Sequence, residues 1–204
     1  MFSGIIEKQA SVLEAYRTDS TQFIKLKLLT DFTHLDLGES IAVNGVCLTV
    51  TEFLKKNDTQ STVSFFVSKE SLDVTNLGLL SPEDSVNLEQ SVSLQTRLSG
   101  HMVQGHVDGM AQLVDLSSHS ESRLLTFKLS KSLGRYCVSK GSIALNGMSL
   151  TLQSVLDQDD STLIQVMIIP YTWNHTNLCR LQVGGWVNIK VDMIAKYVER
   201  LCQH

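Results

Sequence analysis

The sequence predicts an all-β protein: two tandem, duplicated, six-stranded antiparallel Greek-key barrels followed by a C-terminal α-helix. Three observations carry that prediction. Ser40 to Thr49 reads SIAVNGVCLT and Ser142 to Thr151 reads SIALNGMSLT, with seven of ten positions identical, which marks a duplicated unit. Within each unit apolar residues recur mostly at every second position, the period of a half-buried strand. After Asp192 the period lengthens: Met193, Ile194, Tyr197, Val198 and Leu201 alternate with Lys196, Glu199 and Arg200, as on an amphipathic helix.

The duplication covers nearly the whole chain. Gly4, Ala10, Val12 and Leu13 match Gly105, Ala111, Leu113 and Val114, and Phe2 aligns with Val103. Thr75-Asn76-Leu77 matches Thr176-Asn177-Leu178, and Val86-Asn87 matches Val187-Asn188. Phe23 to Leu28 alternates like a strand, as does Leu124 to Leu129. The SIAVNGVCLT stretch reads as a buried strand-like run with a polar Asn-Gly in its middle, so Cys47 and Thr49, like Ser149 and Thr151, share one face. Polar clusters at Lys55 to Asp58 and Asp157 to Asp160 read as hairpin turns, leading into strands at Thr62–Val67 and Thr162–Ile169. Lys69–Asn76 and Tyr171–Asn177 read as single helical turns. About six short strands per unit, with little helix, leave edges that a closed barrel removes. The polar stretch from Gln90 to Gly100 reads as a short connector. The expected domains are residues 1–97, residues 98–191 and a helical segment 192–204, and the first repeat is expected to fold alone.

Composition narrows the function class. A chain of 204 residues, 43% hydrophobic, can fill two small cores. The net charge is −4 and no basic run occurs, so nucleic acid and anionic membranes are not expected partners; a small molecule or another subunit is. No run of eighteen apolar residues and no export signal is found, so a cytoplasmic location is expected. Cys47, Cys137, Cys179 and Cys202 show no CxxC spacing, which argues for free thiols and against structural zinc or a disulfide framework.

Several residues carry candidate chemistry. Cys47 is either a nucleophile or a small core residue, and its counterpart Ser149, a polar group on the same face, argues against pure core. His101 and His106 each follow a glycine in Gly100-His101-Met102-Val103-Gln104-Gly105-His106. Their spacing does not place both on one strand face, so a two-histidine metal site is not expected. Phe2 must pack, either on the core or on a ligand. The pairs Thr49/Thr151, Ser71/Thr172, Thr75/Thr176 and Asn87/Asn188 form a duplicated set of neutral hydrogen-bonding groups, suited to a polar, uncharged heterocycle with hydroxyls.

Together these residues resemble the riboflavin synthase family, whose members carry two lumazine-binding repeats. The matching stretches are Met1-Phe2-Ser3-Gly4-Ile5-Ile6, Asn44-Gly45-Val46-Cys47-Leu48-Thr49-Val50, Gly100 to Asp108, and Asn146-Gly147-Met148-Ser149-Leu150-Thr151. Two positions depart: Asn146 stands where many members have Asp, and Ser99 where many have Gly. The resemblance implies a dismutation in which one 6,7-dimethyl-8-ribityllumazine donates a four-carbon unit to a second. Riboflavin and 5-amino-6-(ribitylamino)uracil result, with no cofactor and no metal. It implies Phe2, Cys47, His101 and Ser149 as catalytic residues. It implies a first pocket of Gly4, Ile5, Ile6, Ser40, Cys47, Leu48 and Thr49 with Phe66, Val67, Ser68, Lys69, Glu70 and Ser71. The second would join Gly105, His106, Val107, Ser149, Leu150 and Thr151 to Ile168, Ile169, Pro170, Tyr171 and Thr172, with Lys140 and Asp192 nearby. It further implies a homotrimer, in which the first pocket of one subunit faces the second pocket of its neighbour, and an association with lumazine synthase. The alternative is a catalytically silent antenna homologue that carries a lumazine or flavin.

Overall fold

The computed structural model describes residues 1–17 and 23–202. Strands β1 (Lys8–Arg17), β2 (Phe23–Thr30), β3 (Ser40–Val43), β4 (Val46–Lys55), β5 (Ser61–Ser68) and β6 (Ser85–Gln90) close into one barrel in the order β1-β2-β5-β4-β3-β6. Strands β7 (Gly109–His119), β8 (Ser122–Ser130), β9 (Ser142–Leu145), β10 (Met148–Asp157), β11 (Ser161–Ile168) and β12 (Trp186–Val191) close into a second with the equivalent order β7-β8-β11-β10-β9-β12. In each, three hairpin-linked strands are followed by a fourth that returns beside the first of them, which is the Greek key. Register shifts recur at equivalent places, Val12/Glu14 and Val50/Glu52 in one barrel and Leu113/Asp115 and Leu152/Ser154 in the other; such bulges bend strands enough to close a small barrel.

Each barrel has its own apolar interior, built around Leu26, Val63 and Phe65 in the first and Leu125, Phe127 and Ile164 in the second. The side chain of Phe23, first in its expected alternation, lies outside the described residues, as do Gln203 and His204 of the expected C-terminal segment. The expected helical turns form as α1 (Lys69–Val74) and α3 (Pro170–Asn174), each followed by a 3-10 turn, Asn76–Leu79 and Asn177–Arg180. One short helix, α2 (Lys131–Gly134), was not foreseen. It has no counterpart in the first copy, and it fits because Gly134 lies against Thr162 where any side chain would clash.

The central duplicated stretch is not one strand but a hairpin. Asn44 and Gly45 have φ of 48° and 79°, and Asn146 and Gly147 have 44° and 81°. Two consecutive positive φ values make a type I′ turn, which matches strand twist and favours Asn-Gly. These two turns also dock the barrels, since a Cβ on Gly45 would lie 2.8 Å from the Gly147 amide nitrogen.

Around the turns six buried asparagines interlock. Asn177 Nδ2 donates to Asn44 Oδ1 (3.0 Å), Asn76 Nδ2 to Asn146 Oδ1 (3.1 Å), and Asn87 Nδ2 to Asn177 Oδ1 (3.0 Å). Asn76 N donates to Asn188 Oδ1 (2.7 Å) and Asn177 N to Asn87 Oδ1 (2.8 Å). Asn87 and Asn188 were expected to face a ligand; they bind the two barrels together instead. Thr75 and Thr176 likewise cap the 3-10 turns through Leu77 N and Leu178 N.

The network alters the expectation for the first repeat by itself. Without a partner, the Asn76 and Asn87 side chains would lose the bonds they donate to Asn146 and Asn177 of the second barrel, while Asn44 keeps its own to Asn76 and Asn87. A second copy of the same repeat offers the same groups in the same places. Residues 1–97 expressed alone are therefore expected to sediment as a dimer, and a folded monomer would contradict this role for the asparagines.

The C-terminal helix α4 (Met193–Cys202) is tied to the second barrel at its base. Asp108 accepts from Lys190 Nζ (3.0 Å to each oxygen), from Val191 N (3.0 Å) and from Lys196 Nζ (2.5 Å), and Glu199 pairs with Arg135. Its apolar stripe is not covered: Ile194, Tyr197, Val198 and Leu201 are 54–74% exposed. Among the described residues, no helix is long and apolar enough to cross a membrane.

Candidate active site

Strand alternation turns Val46, Leu48 and Val50 into the first barrel and so turns Cys47 and Thr49 outward. Across the sheet Ala42 sits opposite both Cys47 and Glu89, and in the second barrel Ala144 sits opposite both Ser149 and Lys190. The small alanines leave a trough between the barrels. Two chain segments fill it, the one leading into β1 and the one leading into β7. They meet as an antiparallel bridge of equivalent residues, Phe2 N to Val103 O (2.9 Å) and Val103 N to Phe2 O (3.0 Å).

Phe2 is 1% exposed, packed with Val103, Ala42, Ala144 and Cys47. Its place is in the seam between the barrels.

Beyond the bridge each segment crosses to the other repeat's hairpin. Gly4 O accepts from Ser149 N (2.7 Å) and Gly105 O accepts from Cys47 N (2.9 Å). Ile6 packs on the second core and Val107 on the first. Grouping by repeat is therefore corrected: Gly4, Ile5 and Ile6 stand with Ser149, while Gly105, His106 and Val107 stand with Cys47. The contacts are tight enough to require glycine. A Cβ on Gly105 would lie 2.2 Å from Cys47 Cβ, and one on Gly4, which also has φ of +76°, would lie 2.7 Å from Ser149 Cβ. Gly105→Ala is expected to lift the segment off Cys47, at about 1–3 kcal/mol for an overpacked contact; a melting temperature within one degree of the parent would refute the fit.

His101 reaches Ser149 across the same seam. Its Nδ1 lies 2.7 Å from Ser149 Oγ, and its amide donates to Ser3 O (3.2 Å). Burial disfavours the imidazolium and lowers the His101 pKa below its ordinary value, with Asp192 acting weakly the other way. Nε2 is buried and has no partner. A neutral imidazole beside a hydroxyl, with its second nitrogen free, can accept a proton at neutral pH. Beside the pair lies an open cleft of about 170 Å³ lined by Gly4, Ile5, Ile6, Met148, Ser149, Tyr171, Thr172, His175 and Thr176.

Comparison with known proteins then bears on the whole chain. The lumazine binding domain model matches residues 3–91 and again 104–192. The riboflavin synthase of Mycobacterium tuberculosis is 42% identical over 98% of this chain and 98% of its own. That of Schizosaccharomyces pombe is 40% identical over 100% of this chain and 94% of its own. The chain belongs to the riboflavin synthase family. The fold is also that of LumP solved with 6,7-dimethyl-8-(1'-D-ribityl) lumazine, at a TM-score of 0.76 and 22% identity, covering 94% of this chain and 99% of that one.

Not all residues implied by the riboflavin synthase resemblance gather at the two hairpins. Val67 and Ile168 point into the barrels, and Leu48 does too. Phe66 is half exposed, and Ser68 caps α1 by accepting from Ser71 N (3.2 Å), so Lys69 and Glu70 begin a solvent-facing turn on the Cys47 side. Ser40 pairs with Thr49 and Ser142 with Thr151 in register. Ile169 and Pro170 are exposed at the start of α3, and Leu150 packs on the second core. Lys140 lies in the turn before β9 with its ammonium on Gln153 Oε1 (3.1 Å). Asp192 accepts from Ile194 N (2.9 Å) at the head of α4. Burial pushes the Cys137 thiol up to about 11, which leaves it inert. Sequence reasoning missed His175, which stacks on Tyr171 at 4.1 Å between ring centroids. The repeat gives no signal for it, because Val74 occupies the equivalent place before Thr75. Among the described residues no group of three His, Cys, Asp or Glu side chains is arranged to hold a metal ion.

Proposed function

We propose that this chain is a working riboflavin synthase: it converts two molecules of 6,7-dimethyl-8-ribityllumazine into riboflavin and 5-amino-6-(ribitylamino)uracil. The observation that supports it most is the His101–Ser149 contact, with Ser149 lining a cleft together with Gly4, Ile5 and Ile6. The two products together contain the atoms of the two substrates, so no oxidant or reductant is required.

In this reading the lumazine beside Ser149 loses a proton from its acidic 7-methyl group. His101 Nδ1, acting through Ser149 Oγ, accepts that proton. The second lumazine lies on the Cys47 side, against Gly105 and Val107, where Cys47 or a water it positions adds to C7. Thr49, Thr151, Ser71 and Thr172 present neutral hydrogen-bonding groups on the two outer faces, suited to a heterocycle with a hydroxylated chain. Bringing two reactants face to face supplies much of the rate acceleration in such a step.

The cleft beside Ser149, of about 170 Å³, falls short of the roughly 300–1,000 Å³ of a complete small-molecule site; in this reading a neighbouring subunit completes it. The bare stripe of α4 offers the means, and a homotrimer with the Cys47 side of one subunit facing the Ser149 side of the next satisfies both. The four free cysteines suit a reducing, cytoplasmic setting. Association with lumazine synthase would shorten the path of the substrate to this site. Incubating the purified protein with 6,7-dimethyl-8-ribityllumazine and following riboflavin absorbance tests the reading: binding without conversion would return it to the antenna class.

A further inference from the structure

We infer that Glu89 is a positioning residue for the His101–Ser149 pair, acting through the segment Ser3–Gly4. Glu89 is 2% exposed and lies on the outer face of β6, opposite Ala42. Its Oε1 accepts from Ser3 N (2.6 Å), Ser3 Oγ (2.8 Å) and Gly4 N (3.1 Å), and its Oε2 also accepts from Gly4 N (3.0 Å). One carboxyl thus binds the polar hydrogens of two consecutive residues. Those residues then place both members of the pair. Ser3 O accepts from His101 N (3.2 Å) and Gly4 O accepts from Ser149 N (2.7 Å). Gly100 closes the stack, since a Cβ there would lie 2.1 Å from Ser3 O and 2.9 Å from Ser149 Oγ.

The two repeats differ at this point. Lys190, which takes the place of Glu89 opposite Ala144, pairs with Asp108 and belongs to the base of α4. The segment that contacts Cys47 therefore has no carboxyl at the equivalent place, and the one that contacts Ser149 does. Burial raises the Glu89 pKa, and the bonds from Ser3 and Gly4 oppose the rise only in part, so the carboxyl sits in a buried place and is held there by the donors of this one segment. The asymmetry matches a division in which the Ser149 side carries the proton transfer and must be held to narrower tolerances.

The inference rests on the proposed reaction, and its test separates the two. Glu89→Ala is expected to lower kcat about 10–100-fold, the scale of a small misplacement at a reacting centre. Glu89→Gln, which keeps one accepting oxygen, should fall between it and the parent. Ser3→Ala, which removes only the hydroxyl donor, should lower kcat a few-fold without a change in melting temperature, and it carries the test if Glu89→Ala does not fold. The decisive measurement is coupling: Glu89→Ala combined with His101→Gln should be no slower than His101→Gln alone, as for groups that act as one unit. Fully additive losses, or unchanged turnover in all three single variants, would overturn the inference. If the parent protein forms no riboflavin, the readout is the ring nitrogen NMR signals of His101 in protein labelled with 15N-histidine. They should move in Glu89→Ala or Glu89→Gln, and unmoved signals overturn the clamp whatever the reaction is.

Discussion

A chain stopped after Asp192 is expected to lose riboflavin formation while each half-site still binds ligand. The helix contributes nothing to either barrel core, and no α4 residue is buried, so its removal leaves both barrels and the asparagine seam intact. What it takes away is the stripe of Ile194, Tyr197, Val198 and Leu201. A contiguous apolar surface of this kind marks an interaction face in a soluble protein. In the proposed trimer the Cys47 side of one subunit faces the Ser149 side of the next, so subunits that separate would leave every lumazine alone in its half-site. Sedimentation should show smaller particles, riboflavin should stay bound with altered affinity, and turnover should fall to background. A truncated monomer as active as the full chain would remove both the helix contact and the shared site.

His101→Gln is expected to lower kcat/KM by about 100-fold or more, the usual range for removal of a general base, with little change in melting temperature. Glutamine can keep a hydrogen bond to Ser149 but cannot take a proton at neutral pH. The pH profile provides the sharper check. Because burial lowers the His101 pKa, the neutral, proton-accepting imidazole persists to pH values below the ordinary histidine range. The acid limb of the parent profile should therefore lie below 6.5, with activity falling as pH drops through it, and that limb should vanish in His101→Gln. An acid limb retained unchanged in the variant would assign it to another group.

Much of the fold was legible because it is written in short-range patterns. Alternation at Leu124 to Leu129 reports a strand whatever surrounds it, and the stripe from Met193 to Leu201 reports a helix with one apolar side. The duplication of SIAVNGVCLT exposed two barrels and made Cys47 and Ser149 equivalent. The same stretch was misread as one strand, although Asn-Gly between apolar runs is itself a hairpin signal. His101 and Ser149 were both singled out, yet nothing in their spacing placed them 2.7 Å apart. Asn87 and Asn188 were read as ligand groups because a buried amide and a pocket amide look alike in sequence.

Sequence alone determined the repeat, the strand and helix content, the free thiols and the small set of polar residues near the two hairpins. Only the tertiary structure decided which hairpin each leading segment serves. Duplication makes the two choices hard to tell apart locally, since Gly4 and Gly105 are equivalent positions of the repeat and each faces a hairpin of nearly the same sequence. The choice is made where the copies touch. Gly45 and Gly147 bring the two turns together back to back, and Phe2 pairs with its own counterpart Val103 across the seam. From that pairing each segment can only run onward to the opposite barrel, carrying Gly4 to Ser149 and Gly105 to Cys47.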